Sequence, residues 1–89
     1  MVSQKVEVRN LSGLHLRPAA VLCNKALEFQ CSISFNYEEG TGNANAKSVL
    51  SVLGACVRRG DVIEIVCEGS DEEAALKALV DCIQSGLEE

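Results

Sequence analysis

Gly13-Leu14-His15-Leu16-Arg17-Pro18-Ala19-Ala20 holds the only histidine and the only proline of an 89-residue chain. Pro18 pre-sets φ and has no N–H to satisfy, so it suits the first turn of a helix. The residues behind it extend that helix over 17–28. Ala19, Leu22, Cys23, Ala26 and Phe29 then fall at helical spacing and are expected to face a core. Arg17, Val21, Asn24 and Glu28 share the outer face. Val21 is the apolar member there, and reads either as ordinary surface or as a dry contact for a partner protein. His15 and Leu16 stand just ahead of the helix, and Gly13 lets the backbone before them turn sharply.

That placement has chemical consequences. A helix start carries unpaired N–H groups and the positive end of the dipole, which together favour an anion. Arg17 adds a permanent cation whose fork of donors fits phosphate. Imidazole is a competent nucleophile at neutral pH. The stretch therefore supplies a nucleophile, a cation and oriented backbone donors, and phosphoryl transfer needs positioning and charge stabilisation above all. The plain alternative is a surface histidine in a loop beside a solvated arginine.

Working outward, Lys5-Val6-Glu7-Val8-Arg9 alternates with period two and predicts a half-buried strand with Val6 and Val8 inward. Residues 31–37 alternate again, with Ile33 and Phe35 on one side. Glu38-Glu39-Gly40-Thr41-Gly42 is a turn, and residues 43–46 make a short polar edge strand. Residues 47–54 read as a short helix that Gly54 stops, with Ser48 as its N-cap, worth about 1 kcal/mol. Val62-Ile63-Glu64-Ile65-Val66-Cys67 is rich in β-branched residues and predicts a central strand. Ser70-Asp71-Glu72-Glu73 reads as a capping box with Ser70 at the N-cap. Leu76, Leu79, Val80, Ile83 and Leu87 form the apolar stripe of the helix behind it, which Gly86 ends or loosens. Strand, helix, strand, strand, helix, strand, helix predicts an α+β two-layer domain spanning 1–89.

Hydrophobic residues make up 47% of the chain and aromatics 3%, so the core must be aliphatic. A net charge of −5 argues against nucleic acid or an anionic membrane as general partner and favours a monomer. Cys23, Cys31, Cys56, Cys67 and Cys82 show no metal-ligand spacing, and read as small buried apolar residues in a reducing compartment. No metal and no cofactor is expected. Residues 1–10 lack the apolar core of a signal peptide, and no run is long enough to insert in a membrane, so a cytoplasmic location is expected.

The motif residues also resemble a known family. Gly13-Leu14-His15-Leu16-Arg17-Pro18-Ala19 meets every fixed position of the pattern Gly-[Ile/Leu]-His-x-Arg-Pro-Ala, the active-site motif of HPr, the histidine-containing phosphocarrier of the bacterial phosphotransferase system. The similarity runs from about Lys5 to the last helix. A second signature, Lys47-Ser48-Val49, lies at the expected distance. The resemblance implies an open-faced sandwich of four antiparallel strands with three helices on one face. It implies a phosphoryl carrier, not an enzyme with its own small-molecule pocket: His15 takes a phosphoryl group from enzyme I and passes it to sugar-specific IIA proteins. Arg17 and the backbone N–H groups of Leu16 and Arg17 would hold the phosphate. Ser48 would be the regulatory phosphorylation site of an HPr kinase/phosphorylase, docking on Val49, Leu50 and Leu53. Ala20, Val21 and Asn24 would complete the partner interface. Leu16, Asn24, Leu27 and Ser51 depart from residues common in relatives. Two rivals remain at this point: a regulatory HPr-like module working through phosphoserine or in a nitrogen-type branch, and a small ligand-binding or enzyme domain with His15 as general base.

Overall fold

The sheet orders its four strands β1-β4-β2-β3, every neighbouring pair antiparallel. A computed structural model describes residues 1–89. Its elements are β1 Val2–Glu7, α1 Leu16–Ala26, β2 Ser32–Tyr37, β3 Gly42–Asn45, α2 Val49–Gly54, β4 Val62–Glu68 and α3 Glu72–Gln84. The α+β two-layer expectation is borne out, and β4 does lie inside the sheet, between β1 and β2. Its alternation explains why: Ile63, Ile65 and Cys67 are buried, whereas Val62 and Glu68 are exposed. Register aligns these inward residues across the strands, Ile63 opposite Val6, Ile65 opposite Phe35, and Cys67 opposite Ile33. A slip of one residue would turn the whole set to solvent.

The helices cover that inner face. Ala19, Leu22, Cys23 and Ala26 of α1 are buried, as are Ala75, Leu79, Val80 and Ile83 of α3. α1 packs between α2 and α3, and α3 lies on β1 and β4. Twenty-two buried residues form one apolar cluster. Phe35 is its largest member, and the only other rings are Phe29 and Tyr37 at its margin. Small residues on the helices, Ala19, Ala26 and Ala75, let aliphatic side chains and the single ring of Phe35 fill the space between helices and sheet.

Several local expectations are corrected. β1 spans Val2–Glu7, not 5–9, because Val2 to Glu7 all pair with β4. Val8 is buried beyond the strand, its N–H donated to the Asp61 carbonyl at 2.8 Å. The N-cap of α3 is Asp71, not Ser70. The Asp71 carboxylate reaches outward instead, accepting the N–H groups of Gln30 at 2.8 Å and Cys31 at 2.9 Å. Glu72, not Glu73, reaches back to accept the Gly69 N–H at 3.1 Å. Leu79, Val80, Ile83 and Leu87 of the expected stripe are buried, but Leu76 is only half-buried and Ala75 takes its place at the core. Val21 is half-buried, packed against the core. The cysteines also divide. Cys23, Cys31 and Cys67 are buried, Cys82 is half-buried, and Cys56 is exposed in the turn after α2 with φ of 53°. Burial and the neighbouring Asp71 carboxylate push the Cys31 thiol up to about 11, and burial raises Cys67 and Cys82. Those three thiols are thereby held back from the reactive thiolate form.

Candidate functional site

His15 is the N-cap of α1, with extended backbone (φ −81°, ψ −170°). Its carbonyl accepts the Ala19 N–H at 2.8 Å, while its side chain makes no capping bond. The imidazole is therefore exposed and uncommitted. Leu16 is already helical, one residue earlier than expected; Arg17 and Pro18 follow in the first turn. The N–H groups of Leu16 and Arg17 have no partner within the helix, and Pro18 has no N–H to compete with them. No acidic residue occupies that first turn, so the positive end of the dipole is not neutralised within it. Arg17 is exposed and in no ion pair.

The loop ahead of His15 is held from three sides. Leu14 is buried and donates its N–H to the Val57 carbonyl at 3.0 Å. Gly13 has φ of +63°, and a Cβ there would come within 2.6 Å of the Val57 carbonyl oxygen and 2.8 Å of Arg58 Cα. Only glycine meets both conditions. Asn10, buried, donates through Nδ2 to the Gly13 carbonyl at 2.8 Å and to Glu89 Oε1 at 2.6 Å. The same Glu89 carboxylate accepts Ser12 N–H at 3.1 Å and Ser12 Oγ–H at 2.7 Å. These bonds to Ser12 and Asn10, aided by the Arg17 charge, hold the Glu89 carboxyl below the usual carboxylate range. Leu87, buried with φ of 54°, pins the segment so that Glu89 reaches the loop.

Ser48 caps α2, its Oγ accepting the Ser51 N–H at 3.2 Å. α2 packs on α1 and on β3. The residues expected at a partner interface lie on these two helices: Ala20 and Val21 half-buried and Asn24 exposed on α1, Val49 and Leu53 half-buried and Leu50 exposed on α2. Leu16 at the start of α1, Leu27 at its C-cap and Leu50 on α2 are 61%, 58% and 82% exposed. A surface groove of about 660 Å³ runs between α1 and α3, lined by Lys25, Glu28, Asp81 and Cys82 among others, and it shares Val21 and Asn24 with the expected partner face. No three His, Cys, Asp or Glu side chains converge as a metal site, and no helix is long and apolar enough to cross a membrane.

Comparison with known proteins agrees with this geometry. Residues 2–85 match the family described as "PTS HPr component phosphorylation site". The chain belongs to the HPr family. It is 38% identical over 89 residues to the phosphocarrier protein HPr of Treponema pallidum, covering 100% of this chain and 99% of that one. The HPr-like protein Crh of Bacillus subtilis is 36% identical over 84 residues, 94% of this chain and 96% of its own. Among solved structures, HPr-C-His from Thermoanaerobacter tengcongensis superposes with a TM-score of 0.94 at 38% identity, over 100% of this chain and 98% of the other. The multiphosphoryl transfer protein of Escherichia coli O157:H7 is also 38% identical over 90 residues, and this chain spans 24% of its length. The expected four-stranded HPr sandwich with three helices is borne out.

Sequence reasoning about the HPr motif missed what supports it. The strap from Glu89 to Asn10 and Ser12 joins residues far apart in the chain, and no local pattern announces it. The contact of Gly13 with Arg58 was equally illegible, although the glycine itself was the clue that something approached closely.

Proposed function

We propose that His15 is the phosphoryl acceptor, taking the group from phosphorylated enzyme I through Nδ1 and passing it to sugar-specific IIA proteins. The Nδ1 lone pair forms the new P–N bond as the bond from phosphorus to the donor breaks, and the electron pair of that bond leaves with the donor. Transfer to the acceptor repeats the exchange in the opposite sense. The N–H groups of Leu16 and Arg17 and the Arg17 guanidinium receive the phosphate oxygens. The observation that carries this reading is an exposed N-cap imidazole without a hydrogen bond, beside unpaired helix-start donors and an unpaired arginine.

The face formed by Ala20, Val21, Asn24, Val49, Leu50 and Leu53 receives these partners. Phosphate on Ser48, at the start of α2, suits the helix dipole and would place negative charge on the same face, weakening encounter with carboxylate-bearing partners. The protein works as a monomeric cytoplasmic carrier without a cofactor. The match to the HPr-like protein Crh favours, as a second reading, a regulatory role exercised through Ser48.

Incubation with phosphoenolpyruvate and enzyme I tests both. Acid-labile, base-stable phosphate that His15→Ala abolishes is the expected result. A wild-type protein that takes no label from competent enzyme I, yet is labelled on Ser48 by the kinase, would establish the regulatory reading in its place.

A further inference from the structure

The four arginines of the chain, Arg9, Arg17, Arg58 and Arg59, are distributed unlike its four lysines, Lys5, Lys25, Lys47 and Lys77. Every arginine lies on one of two segments, the loop and helix start following β1 and the turn before β4, and the fold lays these segments together. Leu14 N–H meets the Val57 carbonyl at 3.0 Å, Gly60 N–H meets the Val8 carbonyl at 2.6 Å, and Val8 N–H meets the Asp61 carbonyl at 2.8 Å. Gly13 sits directly on the Arg58 backbone. Two turns distant in sequence thus bring Arg58 and Arg59 alongside the loop that ends in His15.

All four arginines are exposed, and only Arg9 has an ion-pair partner, Glu7 at 3.1 Å. The nearby carboxylates are turned to other work. Asp61 Oδ2 accepts the Arg58 N–H at 2.9 Å, and Glu89 is occupied by Asn10 and Ser12. Lys25, by contrast, pairs with Glu28 at 3.4 Å, and Lys47 Nζ donates to the Phe29 carbonyl at 2.6 Å. On a chain of net charge −5, the free guanidinium groups are concentrated at the His15 end. Guanidinium forks bind carboxylate pairs in a defined orientation, which an ammonium does not.

We propose that Arg58 and Arg59, continuing the interface from Arg17, form the cationic rim that docks a carboxylate cluster on the phosphoryl-donor protein. This rests on the carrier reading of His15. The apolar leucines of α1 and α2 supply the dry centre of the contact, and the arginine turn supplies orientation and encounter rate against the repulsion of an otherwise acidic chain.

The test is the initial rate of His15 phosphorylation by phosphoenolpyruvate-charged enzyme I, over a range of enzyme I and salt concentrations. Arg58→Gln/Arg59→Gln should raise KM for enzyme I about tenfold at low salt and flatten the salt dependence, as loss of rim charges does. The rate at saturating enzyme I and the hydrolysis rate of isolated phosphohistidine should not change, and Arg58→Lys/Arg59→Lys should recover part of the KM. An unchanged KM and salt slope would overturn the proposal. So would faster phosphohistidine hydrolysis at constant KM, which would make the pair a phosphate clamp. Wild-type protein that takes no label defeats the carrier reading instead, and calorimetric titration with enzyme I then decides separately: equal affinity of wild type and the glutamine variant, or no binding by either, overturns the docking rim.

Discussion

His15 owes its availability to what its neighbours do not ask of it. An N-cap residue commonly spends its side chain on the helix it starts; here the main chain alone caps, and the imidazole is left to solvent. Gly13 makes that position possible. An alanine there would need positive φ and would push its Cβ into the Val57 carbonyl and Arg58 Cα, backbone atoms that cannot swing aside. Gly13→Ala should therefore destabilise the protein by more than about 1 kcal/mol and shift the turn under His15. Chemical denaturation gives the first quantity, and the rate of His15 labelling by enzyme I should fall with it. Labelling at the wild-type rate in a fully folded variant would show that the loop tolerates displacement.

Among the elements, the start of α3 is tied to the turn that leads into β2 by one residue. Asp71 spans the gap with two backbone bonds, to Gln30 and Cys31, and these chiefly lower its pKa. Glu72, through the Gly69 N–H and the amino terminus 3.0 Å away, and Glu89, through Ser12 and Asn10, are lowered as well. A carboxylate depressed in the folded state contributes stability that is fully present above its unfolded pKa and is lost as pH falls through the depressed value. Stability should thus be flat near neutrality and decline below about pH 4, where unfolded carboxylates begin to take up protons. Asp71→Asn should flatten part of that decline while lowering the plateau; denaturation midpoints measured across that range would detect both. An acid profile identical to wild type would mean the tie contributes nothing in solution.

For the molecule as a whole, one aliphatic cluster holds two layers together. Leu22 is fully buried on the inner face of α1, within that cluster. Leu22→Ala should cost about 2–5 kcal/mol, depending on how far α1 collapses onto the cavity. In a domain of this size that lowers Tm by on the order of 10 °C or more, measurable by circular dichroism. Leu50→Ala, at a side chain 82% exposed, should leave Tm nearly unchanged. It would instead weaken partner contacts if α2 serves as proposed.

The order of elements, the inward side chains Val6, Val8, Ile33 and Phe35 and the position of His15 at a helix start were all legible in the sequence, because each follows from spacing within a few residues. Period two marks a strand face, period 3.6 a helix face, and proline and glycine mark where one gives way to the other. What the residues alone could not supply was anything that joins distant segments: the strand order, the Asp71 tie to the turn before β2, the Glu89 strap over Asn10 and Ser12, and the arginine turn beside Gly13. Even the expected capping box at Ser70 gave way when Asp71 found partners in the distant turn at Gln30 and Cys31. Short-range propensity sets which conformations are cheap. Which carboxylate meets which amide across the fold depends on how one aliphatic core closes between sheet and helices, and that is decided only when all the layers pack at once.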